Sequence, residues 1–155
     1  MNGQLEQYRV LVDFLGQALG SDYEIVLHDL SDGNNAVVAI ANGQISGRGL
    51  GAPLTNLALR FLADKEYVHQ NYKIGYRGIS AHHTQLCSST MFLKDAQGTP
   101  IGMLCINYDP ARGIAAANAV LSMCGLQQRR ANPRPSPRRT SSAACPIPCA
   151  PPSRK

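Results

Sequence analysis

Apolar and polar positions along this chain follow two periods. From Leu5, apolar residues recur at Tyr8, Leu11, Val12, Leu15, Ala18 and Leu19, the stripe of one helical face, which Gly20 and Ser21 end. Such a stripe packs on its own domain or pairs with a second subunit; the spacing leaves both open, and a homodimer is expected. Tyr23 to Leu30 and Ala36 to Ala41 read as strands around a turn at residues 31–35, and Asn42-Gly43 reads as a tight turn into Gln44-Ile45. Pro53 suits the first position of a second helix, with Leu54, Leu57, Ala58, Phe61 and Leu62 as its buried face. Residues 64–71 form a polar connection, and Tyr72 to Ser80 reads as a third strand weakened by two glycines.

The strongest local signal lies between Leu86 and Asp109. Two apolar, β-branched runs flank a segment holding Asp95, Gly98 and Pro100, which predicts an antiparallel hairpin. Its second arm, Ile101 to Tyr108, is apolar at consecutive positions, so the strand is central and covered on both faces. The polar ending Asn107-Tyr108-Asp109 then needs partners, in the protein or in something it binds. Residues 114–126 are Ala-rich and apolar and predict a last helix. The order is that of an α+β domain with an antiparallel sheet of about five strands.

Charge divides the chain. Residues 1–126 hold eight Lys or Arg against ten Asp or Glu, a net −2, while residues 127–155 hold seven Lys or Arg and no acid, a net +7. The folded part is therefore not itself a nucleic-acid surface. The last 29 residues also hold seven of the ten prolines and lack hydrophobic periodicity, so they read as a disordered basic tail. No apolar run is long enough to span a bilayer, and residues 1–8 lack the pattern of a secretory signal, which predicts a cytoplasmic protein with no membrane partner. Cys87, Cys105 and Cys124 sit in apolar runs, as small core residues do.

Several segments resemble a known family: Tyr-Glu-Ile-Val-Leu-His-Asp-Leu at 23–30, Tyr-Arg-Gly-Ile-Ser at 76–80, Ser-Ser-Thr-Met-Phe-Leu-Lys-Asp at 88–95 and Gly-Met-Leu-Cys-Ile-Asn-Tyr-Asp at 102–109. They resemble the YheO-like PAS domain of bacterial transcriptional regulators, among them the regulator of D-arginine catabolism, and the likeness covers roughly residues 5 to 126. The resemblance implies a PAS-like sheet with helices over one face, acting as a small-molecule sensor in residues 1–126. Members of that family continue into a helix-turn-helix that reads DNA. Prolines at 133, 135 and 137 forbid a recognition helix there, and the tail has the composition of a GC-rich gene read in the wrong frame. The expectation is a sensor without its DNA reader.

In a PAS-like sheet the ligand lies between the sheet and its covering helices. The polar side chains able to reach it are His28 and Asp29, Ser88, Ser89 and Thr90, and Asn107 and Asp109. An acid with hydroxyl and amide groups nearby suits a polar, cationic or zwitterionic metabolite such as an amino acid. The alternative is that Ser and Thr satisfy backbone groups at strand ends, and alternation forbids that neighbours all point inward. A second class of function is an interaction module that binds no ligand and dimerises.

Other chemistry is weakly supported. Cys105, His28 and Asp109 can be drawn as a nucleophile, base and orienter, but a thiol inside an apolar strand is normally inert, so no enzyme is expected. Gly47-Arg48-Gly49-Leu50-Gly51-Ala52 matches G-x-G-x-x-A but follows the wrong strand for a dinucleotide site, and reads as a loop ahead of a helix. His69, His82 and His83 lack a close ligand pair at helix spacing, and Cys145-Pro-Ile-Pro-Cys149 lies in the tail, where a zinc ribbon would need two more ligands, so no metal is expected. No residue singles out haem or flavin, and no cofactor is expected.

Overall fold

A computed structural model describes residues 3–126. A single turn of 3-10 helix at Gly3–Leu5 leads into α1 (Glu6–Leu19). Then come β1 (Tyr23–Asp29), β2 (Val37–Ala41), α2 (Asn56–Ala63) and the short α3 (Glu66–His69). The chain continues through β3 (Tyr72–Ile79), β4 (Gln85–Lys94), β5 (Pro100–Tyr108) and α4 (Ala111–Met123). The strands form one antiparallel sheet in the order β2-β1-β5-β4-β3, so the predicted hairpin supplies two of the three interior strands. Its turn forms as its residues dictate: Asp95 Oδ1 accepts from the N–H of Gln97 and of Thr99, and Gly98 adopts φ 84°.

Register sorts the side chains into two faces. On one, Ile25, Leu27, Ala39, Leu93 and Leu104 meet Leu5 and Val12, with Tyr8, Leu11 and Leu15 packed around them. Gly16 lets α1 approach this face, because a Cβ there would have no room beside Ala41. On the other face, Val26, Val37, Phe92, Met103 and Cys105 meet Leu54, Ala58 and Phe61 from the α2 segment. β5 contributes to both clusters, as its unbroken apolar run predicts. The expectation of helices over one face is corrected here: α2 and α3 lie on one side and α1 on the other, because the stripe on α1 buries the alternate residues of β1 and β5.

Three further expectations change. α2 starts at Asn56 and not at Pro53, because Thr55 caps it, its Oγ1 accepting from Ala58 N at 3.1 Å. The polar connection at 64–71 holds α3, entered through Lys65 at φ 50°. Cys105 is buried, but Cys87 and Cys124 are exposed and are not core residues. The predicted last helix is α4, and none of its residues is buried. It is tied to the sheet's end by Arg112, whose Nη1 lies 3.0 Å from Asp22 Oδ1. Among the described residues no helix is long and apolar enough to cross a membrane. The expected basic tail, residues 127–155, and Cys145 and Cys149 within it lie outside the described residues.

Candidate functional site

Between the sheet and α2 lies a cavity of about 400 Å³. Pairing builds its floor row by row. One row across the sheet reads Glu24, Asn107, Ser88, Tyr76, the next Val26, Cys105, Thr90, and the third His28, Met103, Phe92, and of these Glu24, Met103 and Phe92 do not line the cavity. Gly78, on the edge strand, leaves the space that Ser88 Oγ occupies. Thr55, Leu57, Ala58 and Phe61 form the opposite wall, and Ser46 and Arg48 enter from the loop between β2 and α2.

Two hydrogen-bonded groups organise this floor. The first centres on Glu24, which is wholly buried. Its Oε1 accepts from Ser46 Oγ at 2.5 Å and Ser46 N at 3.3 Å, and its Oε2 accepts from Asn107 Nδ2 at 2.6 Å. A buried carboxylate is held only where donors replace its water, and these three do so. They also pin the β2–α2 loop to the sheet two residues before Arg48. The second group is a chain: Tyr76 OH lies 2.7 Å from Thr90 Oγ1, which lies 3.1 Å from Cys105 Sγ, which lies 3.8 Å from His28 Nδ1. The far nitrogen, His28 Nε2, has no partner although the residue is 4 % exposed.

Burial sets the ionisation of this chain. It lowers the His28 pKa to about 4, helped by the Arg48 charge and opposed by the Met103 backbone, so the imidazole is neutral at pH 7. Burial raises Cys105 to about 11 and Tyr76 to about 12, and each keeps its proton. Burial also pulls Arg48 below its ordinary value, while Glu24 holds it up. Cys105 is thus a thiol and not a thiolate.

Of the seven predicted site residues, four line the cavity: His28, Ser88, Thr90 and Asn107. Asp29, Ser89 and Asp109 do not. Asp29 pairs across from Gly102 beyond the cavity, and its Oδ1 accepts from Ser31 N at the strand end. Ser89 faces away from Thr90, and its Oγ accepts from Gly75 N at 3.2 Å. Asp109 Oδ1 accepts from Ala111 N at the start of α4, so it does not join Cys105 and His28 as an orienter. Alternation accounts for Asp29 and Ser89. Glu24, Ser46, Arg48 and Tyr76 were missed. Glu24 stands in the sequence as the one acid in the interior of a strand rich in apolar residues, a pattern that by itself reads as a solvent-facing position. Among the described residues no group of three or more His, Cys, Asp or Glu is placed to hold a metal ion.

Comparison with known proteins bears on the whole described region. The family model for the YheO-like PAS domain matches residues 1–125. The chain is 37% identical over 105 residues to the YheO protein of Escherichia coli strain K12, covering 68% of this chain and 44% of that protein. It is 33% identical over 107 residues to a Haemophilus influenzae protein, covering 68% and 47%. The chain therefore spans less than half the length of these curated relatives. Among solved structures it is similar to a PAS domain from Colwellia psychrerythraea, at 17% identity and TM-score 0.43, covering 68% of this chain and 96% of that one. It is similar also to an RNA-binding light-oxygen-voltage receptor, at 10% identity and TM-score 0.45, covering 81% and 39%.

Proposed function

The chain belongs to the YheO-like PAS domain family, and from that premise we propose that it senses a small polar metabolite bound between the sheet and α2. Family membership makes it a sensory or regulatory domain. One observation carries the finer reading: His28 lines the 400 Å³ cavity, and its buried Nε2 has no partner. A buried polar atom without a partner costs on the order of 1–3 kcal/mol, and a ligand supplies the missing partner. The volume falls at the small end of metabolite sites. An amino acid or a compound of that size fits the polar row.

Transmission follows from how the walls are built. The cavity's far wall is the eight-residue α2, and Asn107 stands at the end of β5 just before α4. A ligand that binds one arrangement of these elements more tightly shifts the population toward it. The reader of that change is, in this proposal, the DNA-binding part of a transcriptional regulator, for which DNA contact requires a helix-turn-helix outside residues 3–126. Reading the gene downstream of codon 110 in all three frames tests it, and a helix-turn-helix in none of them would count against it.

The sensing test is a titration of the full chain with amino acids, oxo acids, sugars and amines, followed by amide chemical shifts. The reading expects perturbations centred on residues 26–28, 88–90 and 105–107. If no compound moves them, or the changes fall elsewhere, it fails. A second reading, a ligand-free dimerisation module, draws on Val10 and Phe14, which stand one turn apart on the outer face of α1 at 74% and 61% exposure. Light scattering of wild type and Phe14→Glu decides it: a dimer dissociated by the substitution supports this reading, and a monomer at all concentrations removes it.

A further inference from the structure

We infer that the cavity is built for an anion, a small carboxylate lacking an amino group, gripped by Arg48 and oriented by His28. This deepens the sensing proposal and rests on it. The argument starts from charge. Two guanidinium groups line the cavity, those of Arg48 and Arg77, and no Asp or Glu does. The two acids that would have suited a cationic ligand, Asp29 and Asp109, are bonded elsewhere. The nearest acid, Glu24, sits behind the floor with both oxygens taken by Ser46 and Asn107. An ammonium group on the ligand would therefore find no carboxylate to meet.

Arg48 is the cation with capacity to spare. Its Nη2 donates to the Pro53 carbonyl, and among the described residues no acid forms an ion pair with it. A guanidinium has five donors in a fixed fork, and only part of that fork is used. It lines the cavity two residues after Ser46, whose backbone and side chain are bonded to Glu24. Arg77 is secondary, since its Nη2 already donates to Gln85 Oε1 at 2.5 Å in an exposed setting. A half-buried arginine facing a partly dry cavity pairs with a carboxylate through two parallel bonds, stronger there than in water.

His28 gives the second contact. The thiol proton of Cys105 can go to His28 Nδ1, with Thr90 donating to the sulfur and Tyr76 to Thr90. That ordering leaves the imidazole proton on Nε2, the buried nitrogen without a partner. The reverse ordering makes Nε2 an acceptor. An anion selects the first, and a neutral imidazole then donates to an oxygen of the ligand without adding a competing charge. Carboxylate on Arg48 and an oxo or hydroxy oxygen on His28 together describe a short 2-oxo or 2-hydroxy acid.

The test compares matched compounds on one carbon skeleton of three to five carbons. The 2-oxo acid, 2-hydroxy acid, 2-amino acid, the primary amide of the hydroxy acid and the alkylamine are each titrated into the full chain, with inorganic phosphate as the control anion. A hundredfold excess over Kd is expected to raise Tm by about 5 °C or more for the oxo or hydroxy acid. The acid is expected to bind at least about tenfold more tightly than its amide, and Arg48→Gln to bring that ratio close to one. Arg48→Lys, which keeps the charge and loses the fork, is expected to fall between. Because the ratio is taken within each variant, a change in stability does not imitate the result. Amides, amino acids or amines binding as well as the acids, or a ratio unchanged in Arg48→Gln, overturns the anion assignment and leaves the sensing proposal standing. A response to phosphate equal to that of the acids also overturns it, by reducing the site to a general anion site. No response to any compound overturns both.

Discussion

The two faces of the sheet are made by the same strands and differ in almost everything else. Toward α1, Ile25, Leu27 and Leu104 interlock with a fourteen-residue helix, and Leu5 is wholly buried beneath it. Toward α2, the residues between them in sequence are Glu24, Val26, His28, Cys105 and Asn107, and a cavity opens above them. Where α1 covers it, one face removes apolar surface from water, although Met91, beside Leu104 on the same face, stays 45% exposed. The other holds a carboxylate, an imidazole and an unfilled space, each a cost in an isolated domain. A protein accepts such costs where binding is done, which supports the proposal that the α1 face carries stability and the α2 face binding.

The largest effect that separates them is a truncation on the dry face. Leu27→Ala removes a fully buried side chain from a close-packed cluster and is expected to cost about 3 kcal/mol in urea unfolding, the usual outcome where the surroundings cannot collapse. The acid-to-amide ratio of the cavity should not move. The next residue, His28, is nearly as buried but faces the other way. His28→Leu is expected to cost less than about 1 kcal/mol, because it removes an unpartnered polar atom along with the packing it loses. If Leu27→Ala costs no more than His28→Leu, the division of labour between the faces is wrong.

A second separation is by pH. The folded His28 titrates at about 4 and the unfolded residue near 6.5, so between those values the unfolded chain binds a proton that the folded chain does not. Stability from this group is therefore complete above about pH 6.5 and falls as the pH drops toward 4, by at most about 3 kcal/mol. No residue of the dry face contributes to this slope except through carboxylates common to wild type and variant. The check is the difference between the unfolding free energies of wild type and His28→Leu across pH 4 to 7. The gap should close or reverse at the acid end, and parallel profiles would show that His28 is not held neutral by the fold.

How much of this contrast the sequence discloses depends on the range over which each residue finds its partners. The β4–β5 hairpin is legible because Asp95 and Gly98 act within four residues. The double burial of β5 is legible because Met103, Leu104 and Cys105 are consecutive. The stripe on α1 is legible too, though not the face it would cover, since a helix stripe does not say which side of a sheet it meets. Glu24 was not legible, because its partners stand 22 and 83 residues away and a single acid in a strand ordinarily marks a solvent face. Arg48 was hidden in a glycine-rich loop whose pattern invited a dinucleotide reading. The roles of Asp29 and Asp109 inverted for a local reason: each lies at a strand end, where its side chain accepts from a backbone N–H two residues on.

The smallest effect tests whether the helices, like the faces, are held in different ways. α1 begins at Leu5 with no side-chain cap and is fixed by what it buries. α2 has eight residues, too few to persist alone, and its start depends on Thr55 Oγ1 accepting from Ala58 N. Thr55→Ala is therefore expected to cost about 1 kcal/mol, and Thr55→Ser, which keeps the hydroxyl, clearly less. Hydrogen exchange gives the sharper measure. Amides of α2 should exchange faster in Thr55→Ala while those of α1 keep their protection, since local opening of the cavity wall need not disturb the opposite face. Because Thr55 also lines the cavity, a bound ligand should restore much of the lost protection. Equal acceleration in both helices would mean that the two faces unfold as one unit, and that the cavity wall has no freedom of its own through which a ligand could act.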